Sequence, residues 1–291
     1  MALEALNPNT LQELIRSQGS KWTAGDTPVS ALSEQEKRRR LGFVPTGPLR
    51  TIGAAEGAPQ PGAYPVTYDL RNVNGSNYIT PIRDQGNCGS CVSFGTTAAV
   101  EGTYQIVQGD PNTGIDLSEA QLFYCGGGPL GVTCETGWEP DPALNYIVNT
   151  GLVDEACFPY TAGDQACSLC SDWQSRVMQI TAFHQITSTS DMKTWISANG
   201  PLSACFAVYN DFFSYVSGVY THVTGDFAGG HCVCCVGYDD NQGCWICKNS
   251  WGPGWGESGF FQIAYGEGKY PDGTGGIDSV MWAVDGIVAT G

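Results

Sequence analysis

Three segments of this chain carry side chains able to perform nucleophilic chemistry together: Gln85-Gly86-Asn87-Cys88-Gly89-Ser90-Cys91, His231 after Ala228-Gly229-Gly230, and Asn249-Ser250-Trp251-Gly252. A free thiol is mostly protonated at neutral pH, because its pKa lies near about 8.5. Cys91 stands where a glycine-bearing loop turns into a helical pattern, and the partial positive charge of a helix N-terminus favours thiolate. A protonated His231 beside it would lower the thiol further and give a thiolate–imidazolium pair. Asn249 can orient that imidazole through its side-chain amide. Gln85, six residues before Cys91, can aim its amide at a carbonyl oxygen that becomes an oxyanion, with the Cys91 backbone N–H as second donor. In the order Gln, Cys, His, Asn these groups suffice for acyl transfer through a covalent intermediate. His184 and His222 have no comparable context and read as surface or edge residues.

These groups must be held by rigid elements. Residues 91–108 predict a helix, with Val92, Gly95, Ala99, Gly102 and Ile106 as one stripe of small and apolar residues that permits close packing. Ser118 with Gln121 marks another helix start, and Asp141-Pro142 a third that Gly151 closes. Beyond about residue 175 short apolar runs separated by Gly and Asn predict strands at Leu202–Tyr209, Cys232–Tyr238, Trp245–Lys248 and Gly259–Ile263. A helical first half and a strand-rich second half predict an α+β fold. Residues 1–62 form a separate regime: Asn9 or Thr10 caps one short helix, and Ser33 with Glu36 makes a capping box before Lys37-Arg38-Arg39-Arg40. From Thr46 to Pro65 the chain turns rich in Gly, Pro and Ala and reads as an extended, protease-accessible connector.

Charge separates the same two regimes. Residues 1–65 carry seven Lys/Arg and six Asp/Glu, and the remainder six and twenty-three, for a formal net charge of −16. So acidic a body repels nucleic-acid backbones and anionic membranes, so neither is an expected partner. No apolar run approaches the ~18 residues of a membrane span. The first twenty residues lack the basic start and apolar centre of a secretory signal. Thirteen cysteines point to an oxidising compartment, and the odd count leaves a thiol over. The CxxC pairs Cys88/Cys91, Cys167/Cys170 and Cys244/Cys247 raise zinc as a rival reading. No two of them have finger context and His231 belongs to the nucleophilic set, so no metal and no cofactor is expected.

The segments QGNCGSCVSF, HCVCCVGY and CWICKNSWGPGWGESGF closely resemble the papain family of cysteine peptidases, a resemblance that runs from about Val66 to the C-terminus. Tyr68-Asp69-Leu70-Arg71 resembles the family's mature start. Lys21-Trp22-Thr23-Ala24-Gly25, with Leu41-Gly42, resembles the short pro-segment of the cathepsin B group. The longer pro-segment helix of cathepsin L-type enzymes is not evident. The resemblance implies a papain-like two-lobed fold, with a helical left lobe (about 66–175), a β-barrel-like right lobe (about 176–291) and the active-site cleft between them. Residues 1–62 would be an inhibitory pro-segment and linker, and 63–291 the peptidase domain. A fixed N-terminal domain or binding arm is the alternative for 1–62. The basic cluster of the pro-segment can sit on the acidic body at neutral pH, and protonating carboxylates in acid would weaken that attachment.

Carried over residue by residue, the resemblance makes Gln85, Cys91, His231 and Asn249 catalytic and has Trp251 cover the His231–Asn249 bond. Gly89, Thr136, Gly137 and Trp138 would border the substrate, Gly137 offering backbone groups to an extended peptide. Trp138, Cys205, Cys232 and Val280 would line the pocket for the residue one before the scissile position. Val280 matches a position where cathepsin B has a carboxylate, so bulky apolar residues are expected there and Arg is not. The family pattern pairs Cys88 with Cys134. Cys125 should join Cys167 or Cys170, with Cys157 taking the other. Cys234 or Cys235 could bridge Cys247 across a hairpin, or all could be buried free thiols. Two departures stand out: Val92 replaces the family's Trp after the nucleophile, and Thr136 stands where a second Gly is common. No insertion with paired histidines lies between Cys157 and Cys170, which favours endopeptidase over exopeptidase action. The implied partners are a peptide or protein substrate, the chain's own pro-segment, and cystatin-type or epoxysuccinyl inhibitors, in a secreted, periplasmic or lysosome-like compartment. A catalytically silent binding protein and a peptide ligase using the same acyl-enzyme are the alternatives.

Overall fold

The computed structural model describes residues 7–45, 47 and 64–289. The connector expected at 46–65, and with it the boundary between the two regimes, lies almost wholly outside the described residues. The N-terminal regime contains helix α1 (Pro8–Ser17), strand β1 (Lys21–Ala24) and helix α2 (Glu34–Arg38). Asn7, not Asn9 or Thr10, caps α1: its side-chain oxygen accepts from the Asn9 N–H at 2.9 Å, and Pro8 then takes the first helical position, where a missing N–H costs nothing. The capping box of Ser33 and Glu36 is formed.

The helical half holds β2 (Thr67–Asp69), α3 (Cys91–Gln108) and α4 (Pro140–Asn149). α3 occupies the predicted residues and ends on Gly109 in the left-handed conformation (φ 62°). Its small residues let it press on the sheet: a Cβ added at Gly95 would lie 2.9 Å from the Val233 carbonyl oxygen. The start at Ser118 is real, its hydroxyl accepting from the Gln121 N–H at 2.9 Å, but the turn over Gln121–Gly127 is π-helical. Three disulfides tie this half: Cys88–Cys134, Cys125–Cys167 and Cys157–Cys170. Cys125 thus takes Cys167, and Cys157 takes Cys170. Val92, where the family has Trp, is fully buried.

The strand-rich half follows with β3 (Met178–Ile180), β4 (Phe183–Ile186), α5 (Thr189–Ala198), β5 (Leu202–Tyr209), β6 (Tyr215–Tyr220), β7 (Phe227–Asp239), β8 (Cys244–Lys248), β9 (Phe260–Ala264), β10 (Met281–Val284) and β11 (Ile287–Ala289). Seven of these strands join β1 in an open path of order β1-β6-β9-β8-β7-β5-β10-β4, with β2 attached to β7, and β11 pairs with β3 separately. The sheet does not close into a barrel. β6–β9 is parallel and the other pairings of the path are antiparallel. The predicted strands are all present. β7 is longer than expected, beginning at Phe227, so that His231 lies within the strand and not at its start.

The edge strand of the path, β1, comes from the N-terminal regime. Trp22 is opposite Gly218, and its ring lies 6.2 Å from Tyr215 and 5.2 Å from Tyr220. Leu11, Ile15, Trp22 and Val29 are buried in the same apolar cluster as Phe212, Trp251 and Trp255. The N-terminal regime is therefore anchored by core burial as well as by charge. Truncating a buried Trp costs roughly 3–5 kcal/mol. In the full chain Trp22→Ala should therefore make residues 7–45 sensitive to limited proteolysis while 64–289 stay resistant. Unchanged resistance of the N-terminal segment would show that this anchoring is not what holds it.

Candidate active site

Cys91 is the first residue of α3, fully buried and a free thiol. His231 lies in β7 and Asn249 directly follows β8, on neighbouring antiparallel strands where Cys234 pairs with Lys248. The imidazole Nε2 lies 2.8 Å from Asn249 Oδ1. That oxygen also accepts from the Ser250 backbone N–H at 2.8 Å, which fixes which end of the amide faces the ring. Nε2 must therefore carry a proton, and in a neutral ring Nδ1 is then the unprotonated nitrogen. Nδ1 is buried and has no hydrogen-bond partner among the described residues. Trp251 is 2% exposed and its ring sits 4.7 Å from the imidazole, closing this bond off from water.

Gln85 is fixed at every polar atom. Its backbone N–H donates to the Ser250 carbonyl at 2.9 Å, its Oε1 accepts from Ser250 Oγ at 2.6 Å, and its carbonyl accepts from the Tyr160 hydroxyl at 2.8 Å. Tyr160 in turn lies 2.7 Å from Ser90 Oγ; with its one proton on Gln85, it accepts from that serine. The Gln85 amide then donates to the Cys88 carbonyl at 2.8 Å and to the Arg40 carbonyl at 3.1 Å. A carbonyl of the N-terminal segment thus sits on the donor expected to serve an oxyanion.

The segment Arg40–Val44 fills the cleft. Phe43 N–H donates to the Gly230 carbonyl at 3.0 Å, Trp138 N–H to the Gly42 carbonyl at 2.7 Å, and Val44 N–H to the Trp138 carbonyl at 3.2 Å. Main-chain pairing on this wall falls to Trp138, and Gly137 serves by its lack of a side chain. A Cβ there would lie 2.2 Å from the Gly42 oxygen. Gly42 presses equally hard on the other side, where a Cβ would meet the Gly89 oxygen at 1.9 Å. Phe43, 6% exposed, packs in one apolar cluster with Trp138, Cys205, Cys232 and the partly buried Val280. Of the basic run, Arg40 pairs with Asp84 at 2.8 Å and Arg39 with Glu135 at 2.6 Å, whereas Lys37 pairs within its own helix with Glu34. Thr136 folds back on Thr133, accepting from its N–H at 2.8 Å.

This covering sets the electrostatics. Burial pushes the Cys91 thiol up to about 12, with the neighbouring Cys232 adding to the rise and the backbone N–H groups of Cys232, Gly42 and Val92 opposing it. Burial holds the His231 imidazole down at about 4, against the bond to Asn249, and the Arg40 guanidinium lowers it further. Both groups are neutral at pH 7 in this closed form, and no hydrogen bond joins them.

Residues 64–282 match the model of the family described as papain family cysteine protease. The chain belongs to that family. Cathepsin B-like CP2 of Giardia intestinalis is 33% identical over 281 residues, spanning 88% of this chain and 89% of that protein. The structure of proCathepsin B S9 from Trypanosoma congolense superposes with a TM-score of 0.77 at 26% identity, covering 97% of this chain and 98% of that one. The Carica candamarcensis cysteine protease CMS1MS2 in complex with E-64 superposes with a TM-score of 0.60 at 30% identity, covering 76% of this chain and 99% of that one. This papain-family protein is a cysteine peptidase, and its likeness to a procathepsin extends over the N-terminal segment.

Some residues that shape the site were not anticipated from sequence. Tyr160 and Ser250 lock Gln85, and only the position of Ser250 beside Asn249 hinted at this. Tyr270, whose hydroxyl is buried without a partner among the described residues, lies beside Gly230 and Phe43. Nothing in its local sequence signals that place. His184 and His222 lie away from the site, bonded to Asp285 at 2.8 Å and Asp211 at 3.2 Å. Of the CxxC cysteines, Cys88, Cys167 and Cys170 are in disulfides. No group of described residues is arranged to hold a metal ion, and no described helix is long and apolar enough to cross a membrane.

The depressed His231 value links stability to pH. Between its ordinary 6.5 and about 4 in the closed form, the unfolded chain binds the extra proton. The contribution is thus complete above 6.5 and is lost as pH falls through that window, to an extent on the order of 3 kcal/mol. Denaturant unfolding of the full chain across this range should show that loss, and His231→Gln should flatten it. An equal slope in the variant would assign the acid sensitivity to other groups.

Proposed function

We propose that this papain-family peptidase is a latent endopeptidase, with residues 1–62 as pro-segment and linker and 63–291 as the catalytic domain. The observation that carries the reading is the Arg40 carbonyl on the Gln85 amide, while the adjoining Gly42 N–H acts on the Cys91 sulfur. The segment occupies the oxyanion donor and the nucleophile at once. Its release rehydrates the site, drops the thiol, raises the imidazole and lets Nδ1 take the Cys91 proton. The thiolate then attacks a peptide carbonyl, with the oxyanion held by the Gln85 amide and the Cys91 N–H. The imidazolium returns its proton to the leaving amine, and water drawn by the same ring releases the acyl group from sulfur. Asn249 keeps Nε2 protonated through the cycle, and Trp251 shields that bond.

Endopeptidase action is supported by the absence of a histidine-bearing insertion between Cys157 and Cys170. Three disulfides and the cathepsin-type relatives support a secreted or lysosome-like compartment. The solved relative holding E-64 supports reaction of Cys91 with epoxysuccinyl peptides.

Labelling by an epoxysuccinyl peptide and cleavage of fluorogenic peptides should both be weak in the full chain at neutral pH and rise after acid treatment. Cys91→Ala should abolish both, and Gln85→Ala should lower turnover by ~10²–10³ while labelling persists. Cleavage by Cys91→Ala would refute the assignment.

The pocket that holds Phe43 is lined by apolar side chains and thiols, with no carboxylate at Val280. Peptides with Phe or Leu one residue before the scissile position should exceed their Arg counterparts in kcat/KM by at least about tenfold. A library ranking Arg first at that subsite would overturn this.

A further inference from the structure

Besides Cys91, six cysteines are free, all in or beside the large sheet: Cys205, Cys232, Cys234, Cys235, Cys244 and Cys247. Four of them stand in two directly opposed pairs, Cys205 with Cys232 across β5/β7 and Cys235 with Cys247 across β7/β8. Directly opposed residues of antiparallel strands have Cα atoms roughly 4.5–5.5 Å apart, within the span a disulfide needs. Each pair could close without moving its strands. The two pairs differ in surroundings. Cys235 and Cys247 belong to the apolar core built around Trp245 and Trp251. Cys205 and Cys232 share their cluster with Cys91 and with Phe43, the residue filling the pocket. Cys232 follows His231 directly, its N–H acts on the Cys91 sulfur, and its own sulfur lies 3.3 Å from Ser203 Oγ, a hydroxyl able to donate to a thiolate. Burial, and after it the neighbouring Cys232, push the Cys205 thiol up. Three sulfurs therefore stand in series, Cys91, Cys232, Cys205. An apolar pocket wall needs no thiol at either of the last two positions, since Ala or Val would serve as well.

We propose that Cys232 and Cys205 are a redox relay that withdraws oxidation from the nucleophile. The proposal rests on Cys91 being that nucleophile. Once the pro-segment leaves, a hydroperoxide such as hydrogen peroxide meets the Cys91 thiolate. The sulfur attacks one peroxide oxygen, the O–O bond breaks, and Cys91 becomes a sulfenic acid with hydroxide as leaving group. The Cys232 thiol attacks that sulfur, forming a Cys91–Cys232 disulfide and releasing water. The Cys205 thiol then attacks Cys232, leaving a Cys205–Cys232 disulfide and Cys91 as a thiol. In sum one peroxide and two thiols give one disulfide and two waters, and Cys91 is spared the irreversible steps to sulfinic and sulfonic acid. Any thiol reductant of the compartment resets the pair.

The test uses the full chain, acid-treated until Cys91 reacts with an epoxysuccinyl peptide, and then given one equivalent of hydrogen peroxide on an unlabelled portion. In the wild type more than half of Cys91 should remain alkylatable by iodoacetamide, the mass should fall by about 2 Da, and mapping should join Cys205 to Cys232. Cys205→Ser should stop at a Cys91–Cys232 disulfide, with Cys91 alkylation lost at least fivefold and restored by dithiothreitol. Cys232→Ser, given a second equivalent of peroxide, should carry Cys91 to the sulfinic acid, about 32 Da heavier and not restored. Wild-type chain in which Cys91 gains oxygen while Cys205 and Cys232 stay free overturns the relay, a result the wild type gives even if neither variant folds. A Cys91 that reacts with the epoxide but not through this path leaves the peptidase reading standing. A Cys91 that never reacts removes both.

Discussion

The hydrogen bond from His231 Nε2 to Asn249 Oδ1 is the constraint on which the rest of the molecule turns. It decides which ring nitrogen carries the proton, and with it whether the other can accept one from sulfur. Its length depends on the spacing of β7 and β8, on the Ser250 N–H that orients the amide, and on Trp251 lying over both. Trp251 is itself wedged among Phe212, Phe213 and Trp255, with ring centres 5.7, 5.4 and 4.9 Å away. A large share of the strand-rich core thus serves to keep water from one polar contact, where burial strengthens it.

The N-terminal segment acts on this arrangement without breaking it. It removes solvent, and neutral forms of thiol and imidazole are favoured wherever charge cannot be hydrated. Arg40 adds a positive charge facing an imidazole that would otherwise become positive. The Asn249 bond, the tautomer and the Gln85 clamp are all formed with the segment in place. Among the described residues the ion pairs that cross to the body are Arg39–Glu135 and Arg40–Asp84, and the first is exposed, where such contacts contribute little. The holding forces are the burial of Leu11, Ile15 and Trp22, the strand pairing of β1, and the main-chain bonds at Trp138 and Gly230.

The gathering of Gln85, Cys91, His231 and Asn249 at one place was legible in the sequence because it depends on side chains of fixed type at fixed points of the chain. α3 was readable from end to end, its stripe of small residues and its glycine stop being local signals. Asn7 was missed as a cap because Asn9 and Thr10 offered the same chemistry, and only the proline at position 8 separates them. The long N-terminal extension of β7 was missed because Gly229 and Gly230 look like loop residues. Their role is different: they clear space, since a Cβ at Gly230 would meet the Phe43 oxygen at 2.3 Å. Tyr160 and Tyr270 were unreadable in principle, for their roles arise from contacts with residues tens of positions away. The disulfides were left open between Cys167 and Cys170, because spacing alone cannot choose between neighbours three residues apart.

The division of cysteines between the halves follows from how each half is stabilised. The helical half is loop-rich, and its three bridges span sequence separations of 46, 42 and 13. Closing loops of that size restricts the unfolded chain by roughly 3–4 kcal/mol per bridge in the chain-entropy picture. In the strand-rich half, order comes from ladder hydrogen bonds and a continuous apolar core, so a bridge adds little, and cysteine there serves as a small buried side chain. A thiol left free in a core strand is inert while covered. The same residue on the wall of a cleft is exposed to whatever enters. Cys205 and Cys232 lie on that boundary, in the cluster that holds Cys91 and Phe43, whereas Cys235 and Cys247 lie in the core around Trp245 and Trp251.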